Sequence, residues 1–228
     1  DLFINPAQFS EHEDLSSYPK TLDADLELLK CIHVDAVFLP SNNTMYPKGY
    51  STFVNESILS KVLEGASRPK FFKGVITIVV KLFNIINPSH SFFGEKDAQQ
   101  LQIIKKIVSD LNYSIDIVSC PIIREKSGLA MSSRNTYLSA ESRKSAKIIY
   151  NALKHGVSLL KGGDRNVKII QQAITKKIKS EPSAIIDYVT ISNKVSLEEI
   201  TGDINCSVLI SAAVYFDGVR LIDNISTA

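Results

Sequence analysis

A lysine, two acids and two amides crowd one short stretch of this chain, Ser91-Phe92-Phe93-Gly94-Glu95-Lys96-Asp97-Ala98-Gln99-Gln100. An apolar run ends there at Gly94, and beyond it Leu101, Ile104, Val108 and Leu111 recur at helical spacing. This predicts a strand, a turn at its carboxyl end, and Lys96, Asp97 and Gln100 on the first turn of a helix, where open α/β sheets bind ligands. Free N–H groups at a helix start favour phosphate or carboxylate, and the Lys96 ammonium adds a full charge to that partial one. Standing alone, the segment reads first as an ordinary strand-to-helix turn with solvated charges.

Met131-Ser132-Ser133-Arg134-Asn135 is the second cluster, with two adjacent hydroxyls followed by a guanidinium, all donors suited to phosphate oxygens. In a loop such residues are usually solvated or capping, and Ser139 just downstream is expected to be an N-cap. The cluster gains weight from the lysine segment, because a triphosphate needs positive groups on more than one side. Two half-sites on two domains would close around it. Asn5 and Gln8 follow a first strand and would face the same carboxyl-end crevice, where amides suit hydroxyl and carboxylate recognition. Turn stabilisation is their commoner role. Arg68, within Glu64 to Pro69, suits either an anion or a neighbouring acid.

Other nucleotide signatures are missing: there is no Walker loop ending Gly-Lys-Ser/Thr and no Gly-x-Gly-x-x-Gly fingerprint. Any ATP site must be of another kind. His12, His33, His90 and His155 are isolated from one another and read as surface or core residues. Cys31, Cys120 and Cys206 have no metal-ligand spacing and form no disulfide framework, which suits a reducing cytoplasm.

These groups need a scaffold, and 228 residues with 44% hydrophobic and 22% charged content supply one substantial core or two modest ones. The net charge of +2 argues against nucleic-acid binding by bulk electrostatics, and Lys176, Lys177 and Lys179 read as a solvated helix face. No apolar run reaches the roughly 18 residues a membrane span needs, and no charged-then-apolar leader opens the chain, so a soluble protein is expected. The sequence starts at Asp1 with Leu2-Phe3-Ile4 following at once, as if a strand were entered without its preceding structure, and it is read as a fragment.

Leu2–Ile4, closed by Asn5-Pro6, and Val34–Leu39, closed by Pro40, read as buried parallel strands. Leu22, Leu26 and Leu29 after Thr21 give a helix between them, completing a βαβ unit. Val75, Ile78, Val79, Leu82, Phe83 and Ile86 predict a buried helix from Gly74 to Asn87-Pro88. The Phe92-Phe93 strand, the helix from Ala98 and a strand over Tyr113–Val118 continue the alternation. After Pro121 a polar loop over 124–135 precedes helices at about Ala140–Leu160 and Val167–Lys179. Strands at Ile185–Ile191, Ser207–Phe216 and Val219–Ile222 follow, with Asp217-Gly218 as a hairpin turn. The reading is α/β: residues 1–121 as the remainder of a Rossmann-like domain with a parallel sheet, residues 122–228 as a smaller α+β domain.

Taken together, Phe3 to Phe9, Tyr18-Pro19-Lys20-Thr21, Met45-Tyr46-Pro47, Leu63 to Pro69, Phe93 to Gln100, Met131 to Asn135 and Arg220 to Asn224 resemble the pantothenate synthetase family, in the family's order and over essentially the whole chain. The resemblance implies a Rossmann-like nucleotidyltransferase fold and an ATP-dependent ligase of pantoate and β-alanine, acting through pantoyl adenylate and feeding coenzyme A synthesis. It implies that Gly94, Glu95, Lys96, Asp97, Ile123, Met131, Ser132, Ser133 and Arg134 line the ATP site. Lys96, Ser132, Ser133 and Arg134 would carry the catalytic charge stabilisation. Gln8 and Gln100, with Asn5 beside them, would hold pantoate, and Gln8 would also lie near β-alanine. Mg²⁺ is expected with ATP rather than in a protein cage, and a cytoplasmic homodimer is implied.

Two departures stand against the family pattern. Its early strand-loop-helix segment, with a His-x-Gly-His motif that grips ATP and supplies the catalytic histidine, has no counterpart, a difference of roughly 60 residues or about two βα units. This chain alone is therefore expected to be inactive. Phe71 stands where the family usually has histidine, two residues after the Arg-Pro pair, which removes any polar role there. Two other readings stay open: another adenylyl-transferring enzyme of the same architecture, and a non-catalytic binding or dimerisation module.

Overall fold

A computed structural model of the chain describes residues 2–9, 15, 18–19 and 21–227. The elements run α1 (Leu22–Cys31), α2 (Asn42–Met45), α3 (Glu64–Ser67), α4 (Phe71–Ile86), β1 (His90–Gly94), α5 (Ala98–Asp110), β2 (Asp116–Cys120), α6 (Ala140–Ser145), α7 (Ile148–Lys161), α8 (Val167–Lys179), β3 (Ile185–Asn193), β4 (Val208–Phe216) and β5 (Val219–Ser226). Short 3₁₀ turns at Pro6–Gln8, Leu59–Lys61, Glu95–Asp97 and Ser133–Tyr137 join them. Strands β1 and β2 form a parallel pair, and β3-β4-β5 form a separate antiparallel sheet. The α/β expectation holds. Two compact units result, Asp1–Ser91 with Ile103–Ile117, and Phe92–Gln102 with Val118–Ala228.

The first unit is organised on α4, which buries Phe72, Val75, Ile76, Ile78, Val79, Val80 and Phe83. This helix starts three residues before the Gly74 read from its periodicity. It ends as expected, with Asn87 in the left-handed conformation (φ 46°) and its N–H on the Phe83 carbonyl, just before Pro88. Thr77 is buried within α4, where its Oγ1 donates to Lys73 O at 2.7 Å and accepts from Val54 N at 3.0 Å, pinning the 54 loop to the helix.

The expected strands Leu2–Ile4 and Val34–Leu39 do not form as ladders. Leu2 N donates to Phe38 O at 3.0 Å, so the segments lie side by side, but one bond makes no ladder. Val34 and Leu39 are 40% and 47% exposed, whereas a parallel strand is buried by neighbours on both faces. Thr21 does precede α1, but its hydroxyl bonds the Asp25 carboxylate at 3.1 Å instead of capping the backbone. Of the four isolated histidines, His12 lies outside the described residues.

Helix α5 buries Leu101, Ile103, Ile104 and Ile107, a stripe rotated from the one read in sequence, and Leu111 is 48% exposed. The next strand starts later than expected because Asn112 (φ 57°) turns the chain, with Tyr113 N bonded to Val108 O at 3.0 Å. Tyr113 packs edge-on to Phe83 (5.6 Å) and donates to Asn84 Oδ1 at 3.1 Å, so it belongs to the α4 core instead of to β2.

In the second unit α7 and α8 cover one face of the β3-β4-β5 sheet. Ile149, Leu153, Leu160, Ile170, Ile174 and Ile178 pack with Val189, Ile191, Val208, Ile210, Ala212, Val214, Phe216 and Leu221. Gly156 permits the helix pair to close, since a Cβ there would lie 2.5 Å from Ile174 Cδ1. The single helix expected over 140–160 is two, parted at Ala146 and Lys147, whose backbones stay in the right-handed helical region. Helix α8 has the expected bounds, with Asn166 capping Ile169 N at 3.2 Å. β4 and β5 are joined by Asp217-Gly218, both with positive φ (49° and 76°), as a two-residue type I′ hairpin requires. The turn places Phe216 opposite Val219 and, further along, Ser211 opposite Asn224.

Candidate functional site

The Pro6–Gln8 turn of the first unit is built by Asn5. Proline at its first position presets φ, and the Asn5 side chain accepts from Ala7 N at 3.2 Å. The same carboxamide donates to Gly74 O at 3.1 Å and to Gln8 Oε1 at 3.0 Å, and accepts from Tyr46 Oη at 2.8 Å. Asn5 is 3% exposed, so its capacity is spent inside the protein and its visible work is to orient Gln8. Arg68 donates to Gln8 O at 3.2 Å, which fixes the backbone at that residue as well. Its guanidinium stacks on the Phe71 ring 3.8 Å from the centroid, giving the aromatic residue at that position a packing role. Tyr46 is held protonated: burial, then the neighbouring Tyr50, push its hydroxyl up to about 12, against the opposing pull of the Asn5 hydrogen bond.

Gly74 makes this arrangement possible. A Cβ there would stand 2.0 Å from Ala7 O and 2.9 Å from Gln8 N, so the turn rests directly on the backbone of α4. The apolar periodicity alone places Gly74 only at a helix boundary.

In the second unit, β1 ends at Gly94 in extended conformation, Glu95–Asp97 form a 3₁₀ turn, and α5 continues from Ala98. Lys96 and Asp97 thus lie on the tight turn before the helix, and Gln100 lies on the first turn of α5. Gly94 needs no special backbone (φ −71°), and a Cβ would meet nothing within 4 Å, so open space faces it. Asn224 of β5, 6% exposed, sends its amide to Lys96 O at 2.9 Å and Glu95 O at 3.0 Å.

Residues 123–131 form a narrow hairpin, with Met131 N bonded to Ile123 O at 2.9 Å and Glu125 N to Leu129 O at 2.9 Å. Ile123 and Met131 thus stand together, 64% and 56% exposed, an apolar pair open to solvent. Ser132 then caps the Ser133–Tyr137 turn, its Oγ accepting from Arg134 N at 3.3 Å. Asn135, buried behind, donates to Ala130 O and Glu125 Oε1, both at 3.0 Å. Arg143 also holds Glu125, at 2.8 Å, and that hydrogen bond keeps the carboxyl below its usual range against the opposing effect of burial. Ser139 caps α6 as expected, accepting from Ser142 N at 3.1 Å.

Arg124 anchors the hairpin. It makes two bonds to the Asp223 carboxylate of β5, at 2.6 and 2.9 Å, donates to Gly128 O at 3.1 Å, and lies 3.7 Å over the Tyr150 ring. The Lys96 turn and the Ser133–Tyr137 turn therefore share β5 as a neighbour. Ten of the expected residues, Gly94, Glu95, Lys96, Asp97, Gln100, Ile123, Met131, Ser132, Ser133 and Arg134, lie in this second unit, and Asn5 and Gln8 lie in the first. What the residue types alone left unassigned is the holding set: Tyr46, Arg68 and Gly74 for Gln8, and Arg124, Asp223 and Asn224 for the cationic turns.

Comparison with known proteins gives a consistent picture. The family model described as pantoate-beta-alanine ligase matches residues 1–226. A pantothenate synthetase of Acetivibrio thermocellus is 49% identical over 98% of this chain and 79% of its own length, and that of Carboxydothermus hydrogenoformans is 50% identical with the same coverage. The crystal structure of pantothenate synthetase from Thermus thermophilus superposes with a TM-score of 0.94 at 38% identity, covering 98% of this chain and 81% of that one. Pantoate-beta-alanine ligase from Francisella tularensis, complexed with beta-gamma ATP and beta-alanine, has a TM-score of 0.76 at 32% identity, covering 99% and 77%.

Proposed function

The chain belongs to the pantoate–β-alanine ligase family, and on that premise we propose that it carries the ATP-dependent condensation of pantoate with β-alanine. A pantoate carboxylate oxygen attacks the α-phosphorus of ATP and displaces pyrophosphate, giving pantoyl adenylate. The β-alanine amine then attacks the acyl carbon, loses a proton and displaces AMP, leaving pantothenate. The observation that carries this reading is the pair of turns on one strand. Lys96 stands on one and Ser132, Ser133 and Arg134 on the other, both beside β5 in a single unit.

In this assignment Lys96, Ser132, Ser133 and Arg134 stabilise charge developing on the phosphates as the α-phosphorus is attacked. Donors fixed by folding need no reorganisation at that moment, and the Ser133–Tyr137 turn is tied by Asn135 to the hairpin that Arg124 anchors. Gly94, Glu95 and Asp97 border the nucleotide on the lysine side, and the open space at Gly94 suits a close approach. Ile123 and Met131 give it apolar surface. Gln8 and Gln100 hold pantoate, with Gln8 also beside β-alanine and Asn5 orienting it.

Mg²⁺ is assigned to the nucleotide's phosphates. Among the described residues no group of three or more His, Cys, Asp or Glu side chains could hold a metal ion, and a hard cation of this kind is commonly bound through substrate phosphates. Also among the described residues, no helix is long and apolar enough to cross a membrane. A homodimer working in the cytoplasm completes the proposal, supported by family membership.

The test is AMP formation by the full-length protein. AMP should appear only when pantoate and β-alanine are both present, and pyrophosphate should appear with pantoate alone in the first turnover. AMP release independent of either substrate overturns the assignment.

A further inference from the structure

We propose that Asn224 is a positioning residue for adenylate formation, acting through the backbone of Lys96; the inference rests on the phosphate role assigned to Lys96 above. A short turn before a helix does not need a distant side chain to satisfy its carbonyls, since their helical partners lie just ahead. Yet the Asn224 carboxamide reaches both Glu95 O (3.0 Å) and Lys96 O (2.9 Å), from 129 and 128 residues away, and is buried. Each carbonyl oxygen has a second lone pair, and one planar amide donating to two consecutive residues fixes where the turn sits as well as how it is oriented.

The support behind Asn224 is stiff. Its backbone pairs with Ser211 in the centre of the sheet, and its N–H donates to Asp223 Oδ1 at 2.8 Å. Asp223 is in turn locked by Arg124, whose guanidinium lies over Tyr150 of α7. Successive strand residues point to opposite faces, so β5 uses Asn224 for the Lys96 turn and Asp223 for the hairpin that leads to Ser132, Ser133 and Arg134. Two adjacent residues of one strand thereby set the spacing of both cationic groups. Without the carboxamide, the Lys96 turn keeps its helix but loses its tie to the sheet. Displacement of a positioned charge by about 1 Å lowers a rate by up to about 100-fold.

The experiment is a double-mutant cycle in the full-length protein, with Asn224→Ala, Lys96→Ala and the pair, read by single-turnover pyrophosphate release. Asn224→Ala should lower the rate constant by about 10- to 100-fold and change the ATP KM by less than about 3-fold. In the Lys96→Ala background the same substitution should cost less than about 2-fold, because the group it positions is gone. Where Asn224→Ala does not fold, Asn224→Ser, which leaves room for a bridging water, carries the same cycle. An equal loss in both backgrounds, or an unchanged rate, overturns the inference while leaving the function standing. Full activity of Lys96→Ala overturns the phosphate role of Lys96 and this inference with it.

Discussion

Gly74→Ala adds one carbon where the Pro6–Gln8 turn rests on α4. The new Cβ would lie 2.0 Å from Ala7 O and 2.5 Å from Ala7 C, both backbone atoms. Ordinary contact begins at 3.4 Å, so the turn must retreat by about 1.4 Å, and overpacking of this kind costs about 1–3 kcal/mol. The retreat carries Asn5 away from Gly74 O, now 3.1 Å from its amide, and an unsatisfied buried donor costs about 1–3 kcal/mol more. Alanine recovers about 1 kcal/mol through its better helix propensity. The expected net loss is about 3 kcal/mol, measured by urea unfolding at equilibrium. Gln8 moves with the turn, so the pantoate KM should rise and pantoate-dependent pyrophosphate release should fall by up to about 100-fold. Unfolding free energies within about 0.5 kcal/mol of the parent would refute the steric argument. A destabilised protein with unchanged pantoate kinetics would instead refute the link from α4 to Gln8.

Arg124→Met should destabilise by about 3–5 kcal/mol, because it leaves Asp223, 4% exposed, as a buried charge without its partner. Adding Asp223→Leu should recover much of that loss in the same urea measurement, and no recovery would count against the ion-pair account. Tyr46 gives a pH effect of defined sign. Its folded pKa is about 12 against 10.0 for a free tyrosine, so stability is fully present below pH 10 and is lost as pH rises from 10 towards 12. Urea midpoints across that range should fall in the parent, and Tyr46→Phe should remove that part of the slope.

Periodicity and turn chemistry made much of the framework legible. The β4–β5 hairpin followed from Asp217-Gly218 between two apolar runs, and α8 was expected over Val167–Lys179 and has those bounds. Both signals are local, and both elements bury the side chains the pattern indicates. Leu2–Ile4 and Val34–Leu39 have the same apolar character, but a strand exists only by virtue of its neighbours, and composition does not report them. The break at Ala146-Lys147 lacks glycine or proline, so no residue type announces it.

At the site, residue types indicated which groups suit phosphates and hydroxyls, but not what holds them. Asn5 shows the limit: an amide after a strand fits ligand recognition and turn capping equally well. Its partners Tyr46 and Gly74 lie 41 and 69 residues away, and only the fold brings them to it. Asn224 was visible as part of a matching motif, yet its purpose depends on a contact spanning more than half the chain.

The two-residue turn at Asp217-Gly218 also restricts how this gene can change length. Side chains along a strand alternate between faces, so one codon inserted or deleted there, with a two-residue turn re-formed and β5 slipped by one residue against β4, would exchange the faces of Asp223 and Asn224. A carboxylate would then face the carbonyls of Glu95 and Lys96, and an uncharged amide would face Arg124. Indels of one residue here should therefore be rejected, although the turn is solvent-facing and nowhere near the lysine in sequence. Length polymorphism in this protein should fall in other loops and leave this one at two residues.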